Sequence, residues 1–186
     1  MKAINITKES TTVLEMKGIC IEFFSAYQEQ DINRMLGLCT SDGLVYFEPL
    51  EELGTGLVHE VGKNIWTTLI SCFPDLDNTV IQQDWIEEAN AVQCRVRIFG
   101  TQKKDFLGIA AKGLRFDSDH IFIFKFNDQT KIREIRILWN HEKFLEQLIG
   151  YGLREFKNEF LNPSGRAQIT MRPAGNMWCI FNVHKL

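Results

Sequence analysis

Removing a proton next to a carbonyl without a metal calls for a carboxylate or imidazole inside an apolar hollow, where burial moves a carboxyl pKa toward neutrality. Two residues meet the first requirement by position. Glu134 lies in the stretch Lys131-Ile132-Arg133-Glu134 and shares parity with Ile132 and Leu138, which points it inward. Arg133 and Arg136 stand close by, so an ion pair on a strand surface is the competing reading for Glu134. His120 shares parity with Phe122 and Phe124, which puts an imidazole on a strongly apolar strand face. A lone histidine there serves either as an acid–base group or as a hydrogen-bonded core residue.

Other polar side chains have simpler readings. Glu48 precedes Pro49 at a strand end, where a carboxylate either reaches the hollow or stays in solvent. Asn140 follows Trp139 and suits a helix N-cap. Trp66, Trp85, Trp139, Phe73, Phe106, Phe122 and Phe124 supply aromatic surface, by default for the core and otherwise for a flat aromatic ligand. His59, His120, His141 and His184 are too scattered to suggest a shared metal, and no P-loop, GxGxxG, GxSxG or HExxH pattern occurs.

The elements that must carry these residues follow from periodicity. Val13, Met16, Cys20, Phe23 and Tyr27 draw an apolar stripe along a helix over 11–30, with the Thr pair at its start as cap. Asp31 caps a short second helix through Cys39, and Leu44–Pro49 reads as a strand. Residues 51–60 read as a loop, and a third helix runs from Gly62 to Phe73, ended by Pro74. The period then becomes alternating, giving strands near 78–87, 91–100, 114–126 and 131–139. A helix over 141–150 closes on Gly150. Helices followed by long strands with short turns predict an α+β domain over 1–150: a curved antiparallel sheet with helices on one face, and a hollow at its mouth. Residues 151–186 read as an extension that continues the last helix and adds a β-hairpin, not an independent domain.

Composition bounds the function classes. At 186 residues the chain suits one domain. With 21 Lys and Arg against 24 Asp and Glu, a net charge of −3 and no basic cluster, no nucleic-acid partner is expected. No stretch reaches the roughly 20 apolar residues of a membrane span, and the N-terminus lacks a signal-peptide core. Five scattered cysteines in apolar runs read as reduced core residues of a cytoplasmic protein.

Four stretches, taken in order, carry a family resemblance: Gly62–Leu76 with its Phe-Pro-Asp-Leu ending, Val92–Gly113 with GTQKKDFLGIAAKG, His120–Ile135, and Trp139–Gly150. Together the chain resembles SnoaL-like polyketide cyclases, also called predicted ester cyclases, of the nuclear-transport-factor-two-like superfamily. The resemblance covers roughly residues 15–150 and implies a cone-like sheet wrapped round the helices. It implies ring closure by intramolecular aldol chemistry with no cofactor and no metal, and a homodimer. It places the family's acidic group at Glu134 and a substrate-contacting histidine near His120. Where relatives carry histidines this chain has Glu48 and Gln102, and where they carry aspartate it has Asn140.

The expected site is therefore catalytic Glu134 and His120, with Glu48, Trp66, Gln102, Phe106, Phe122 and Asn140 lining a pocket for a small apolar or aromatic molecule. Phe106 and Leu107 enter it as apolar plugs in the loop that Gly100, Gly108 and Gly113 allow to turn. The competing expectation is a non-catalytic ligand-binding or dimerisation module, favoured by the changes at positions 48, 102 and 140.

Overall fold

The computed structural model describes residues 10–150. The extension proposed over 151–186 lies outside the described residues. Helix α1 (Thr11–Gln28) starts at Ser10, whose hydroxyl accepts from the Val13 amide at 3.2 Å, so the cap stands one residue before the expected Thr pair. Its buried residues Val13, Met16, Cys20, Phe23, Phe24 and Tyr27 form the expected stripe. Asp31 caps α2 (Ile32–Gly37) by accepting from the Arg34 amide at 3.0 Å. The second helix is shorter than expected, because Cys39 already begins a strand.

Strand β1 (Cys39–Phe47) leads through a 3-10 turn into the short β2 (Thr55–Leu57), where the sequence suggested only a loop. A π-helical turn, Val58–Gly62, feeds α3 (Lys63–Cys72). Then come β3 (Asp77–Ile86), β4 (Ala91–Thr101), β5 (Arg115–Phe126), β6 (Ile132–Trp139) and α4 (His141–Ile149). Gly150 ends α4 in the left-handed conformation with φ 83°.

The six strands form one curved, unclosed sheet in the order β2-β1-β6-β5-β4-β3. All neighbours are antiparallel except β1 and β6, which run parallel. That parallel contact joins strands far apart in sequence and was not expected.

One face of the sheet packs on the helices. Phe122 and Phe124 meet Phe23 and Phe24 of α1 edge-on at 5.0–5.7 Å, and Trp66 of α3 fits between Phe23 and Phe47. Phe116 packs on Phe73 at 5.0 Å and on Phe144 of α4 at 4.9 Å. Cys20, Cys39, Cys72 and Cys94 are buried within this core.

Phe-Pro-Asp-Leu and Gly-Thr prove to be one unit. Asp75 accepts from both the Thr101 amide and the Thr101 hydroxyl at 2.7 Å. A Cβ on Gly100 would lie 3.2 Å from Phe73 Cβ and 3.3 Å from Leu76 Cα, so a side chain there would push that turn back by a few tenths of an ångström.

Candidate functional site

The even-numbered residues of β5 from Phe116 to Phe126 face the helices, and two of them are polar: Ser118 and His120. His120 is half-buried, with Nδ1 3.1 Å from the Ser118 carbonyl oxygen. A carbonyl only accepts, so Nδ1 carries the proton and Nε2 keeps the ring's lone pair. Burial, working against the Ser118 hydrogen bond and the nearby Asp119 charge, pushes the imidazole pKa down to about 4. At neutral pH the ring is uncharged, with Nε2 an acceptor.

Rings frame it. His120 pairs with Trp139 across β5 and β6, and the two stack at 5.6 Å between centroids. Trp139 also meets Phe47 at 6.5 Å and His141 edge-on at 5.7 Å. His141 stacks on Phe144 at 6.2 Å. Its Nδ1 is buried with no hydrogen-bond partner among the described residues, and burial lowers its pKa too. An indole thus lies between two imidazoles whose protonation burial disfavours, at the end of the sheet face that α4 crosses. Gln147 of α4 fixes that crossing by accepting from the Asp117 amide at 2.7 Å.

The remaining expected residues fall elsewhere. Glu134 does not point inward. Lys125 pairs with Glu134 but Phe126 pairs with Ile132, so Arg133 is an extra residue, a β-bulge that reverses the parity beyond it. Ile132, Ile135 and Ile137 are buried, and Glu134 joins Arg136 on the opposite, outer face. There its Oε1 receives Lys125 Nζ and Arg136 Nε, each at 2.9 Å. Burial disfavours the charged carboxylate, but these hydrogen bonds outweigh it and hold the carboxyl below its ordinary value. Held in these ion pairs on the outer face, it does not reach the covered face that carries His120.

Glu48 belongs to the same outer row, 2.7 Å from Arg136, whose guanidinium lies 4.3 Å over the Tyr46 ring. Trp66 is a core residue at 1% exposure, and Phe122 is likewise enclosed. Asn140 caps α4, accepting from the Lys143 amide at 2.9 Å.

Gln102 is fully buried and acts as a clasp. Its amide nitrogen donates to the Lys104 and Ile109 carbonyls at 3.1 and 2.9 Å, pinning the loop before β5, and its Oε1 has no partner among the described residues. Within that loop Phe106 and Ile109 exchange both backbone hydrogen bonds around Leu107 and Gly108, which have φ of 52° and 76°. This two-residue turn sets the half-buried Phe106 against Phe73 and Phe144.

Among the residues the structure gathers round His120, the sequence reading passed over Ser118, Trp139 as a stacking partner, and His141. Parity with His120 was the available signal for Ser118. The pairing that brings Trp139 to His120 is set only by register.

Helices on one face of a six-stranded, curved and unclosed sheet match the cone-shaped fold of the nuclear-transport-factor-two-like proteins. Within that class the sequence pattern of SnoaL-like polyketide cyclases matches residues 19–148, so the chain belongs to the SnoaL-like polyketide cyclase family. No curated protein matches the sequence. Solved structures agree in fold. AclR of Streptomyces galilaeus, assigned as a hydroxylase, is 21% identical over 73% of this chain and 96% of its own, with a TM-score of 0.63. A protein of Jannaschia sp. CCS1, assigned as a SnoaL-like polyketide cyclase, is 18% identical over 77% and 97%, with a TM-score of 0.64. IdmH of Streptomyces antibioticus, assigned as a polyketide cyclase, is 18% identical over 72% and 98%, with a TM-score of 0.60.

Proposed function

We propose that the protein binds a small flat apolar or aromatic molecule beside Trp139, and that His120 Nε2 takes up a proton from its hydroxyl or from the carbon next to its carbonyl. The reaction class is side-chain acid–base chemistry at a carbon next to a carbonyl, as in cyclisation or isomerisation, without a cofactor. The observation that carries this reading is a neutral imidazole with its tautomer fixed by Ser118, stacked on an indole on the covered sheet face. Burial makes this imidazole a weaker base than a free one, so what it contributes is a fixed acceptor aimed at the proton in apolar surroundings, not high basicity.

The test uses a generic carbon acid, β-tetralone, in heavy water, with deuterium uptake next to its carbonyl followed by NMR. The protein should accelerate exchange, His120→Ala should remove the acceleration, and Glu134→Gln should leave it unchanged. Exchange that survives His120→Ala would sink the assignment.

One observation favours a second reading, a non-catalytic binding or dimerisation module. The buried polar side chains among the described residues are Asn78, Gln102 and Ser118, none of them a carboxylate. Under that reading β-naphthol binds but no exchange occurs. In either case the assembly we infer is a homodimer formed through the outer sheet face, where Leu44 and Leu138 are exposed beside the Glu48–Arg136–Glu134–Lys125 row. Alternating charges with apolar side chains between them make this face complementary to a second copy of itself.

A further inference from the structure

Ser118 is the second polar residue on the covered face of β5, and the carbonyl that fixes His120 is its own. It is 9% exposed, and among the described residues its hydroxyl has neither a hydrogen-bond partner nor a place among the sealed polar atoms. A serine hydroxyl in an apolar strand normally finds a carbonyl or water, since leaving it unpaired costs free energy. Its surroundings place it beside the proposed site. Ser118 pairs with Ile98 of β4, and its neighbour His120 pairs with Trp139, the last residue of β6. Beyond that strand end α4 takes over: Phe144 packs on Phe116 and Gln147 accepts from the Asp117 amide, the residues on the near side of Ser118.

We infer that Ser118 is a specificity-determining residue: its hydroxyl binds a second oxygen of a flat ligand whose first oxygen meets His120. Alternate residues of a strand project from the same face roughly 7 Å apart. The ligand class this selects is a fused aromatic or enone ring system with oxygens on both of its rings, lying along Trp139. The hydroxyl can donate to a carbonyl or accept from a phenol, whereas Nε2 of His120 can only accept. The site therefore takes a hydroxyl or enol at one end and tolerates either oxygen type at the other.

This inference rests on the reading of His120 given above, and two probes separate the two claims. β-Naphthol carries one hydroxyl, and a naphthalenediol with one hydroxyl per ring carries two. Fluorescence titration should give about tenfold tighter binding of the diol to the wild-type chain, the gain of one well-made hydrogen bond. Ser118→Ala should erase that gap while leaving β-naphthol affinity unchanged, and Ser118→Thr, which keeps the hydroxyl, should restore it. His120→Ala should weaken both probes. A gap that persists in Ser118→Ala overturns the role of Ser118 and leaves His120 standing. Equal affinity of both probes for His120→Ala and wild type, or no binding of either probe, overturns both claims. Thermal melts of each variant identify any loss that is simply unfolding.

Discussion

At the scale of single residues, the two buried imidazoles make stability depend on pH in a definite direction. The folded-state pKa of His120 is about 4 and that of His141 is lowered as well, against about 6.5 for the unfolded chain. Between those values the unfolded chain binds more protons, so stability is complete above pH 6.5 and is lost as the pH falls toward 4. Melting temperature should therefore drop over that window, and His120→Phe should flatten the profile. An unchanged slope in that variant would contradict the environment described for His120. His141 offers a second test. Its Nδ1 is sealed without a partner among the described residues, so His141→Phe should raise stability by about 1 kcal/mol, measured by denaturant unfolding. Gln102 should behave in the opposite way, because Gln102→Leu strands two carbonyls and should cost about 2–3 kcal/mol.

Among the elements, what could be read from the sequence divides cleanly from what could not. The helices and the β3–β4–β5–β6 meander are legible because their signals are local: caps at Asp31 and Asn140, a stop at Pro74, alternation in Phe116–Phe126. The turn built from Phe73–Leu76 and Gly100-Thr101 was visible only as two separate motifs, since a hydrogen bond across 26 residues leaves no periodic trace. Gly100→Ala should disturb that unit and cost about 1–3 kcal/mol through overpacking. Gly18→Ala, in the open on α1, should instead stabilise by roughly 0.5–1 kcal/mol, which makes it the internal control. Glu134 was misread for a similar reason. A single bulged residue at Arg133 exchanges the two faces of β6, and alternation counted along the chain cannot reveal an extra residue on one strand. The candidate site was thus half legible: His120 by parity, its partners Trp139 and His141 only once the register was known.

For the whole molecule, the two sheet faces divide the work. The covered face carries the rings and the neutral imidazoles, and the outer face carries the charges. Exposed ion pairs contribute little to stability, so in the proposed homodimer the row from Glu48 to Lys125 would set how two copies align more than it holds one copy folded. Leu138→Arg should shift the protein toward monomer in size-exclusion chromatography while leaving β-naphthol binding intact. A monomeric wild-type protein would remove the outer face as the pairing surface.

The parallel contact between β1 and β6 carries a consequence for the order in which the chain assembles. Strands β3, β4 and β5 can pair with near neighbours as soon as they leave the ribosome. Until residues 132–139 emerge, β1 has only the three-residue β2 beside it. Ile132 then bonds back to the Leu38 carbonyl at 3.0 Å, and the register Val45↔Ile135 to Phe47↔Ile137 follows. Such distant closure is entropically slow. In pulsed hydrogen exchange during refolding, the amides of Val45 and Phe47 should gain protection together with those of β6, after the β3–β4–β5 meander is already protected. The first of the described strands is thus among the last to find its place.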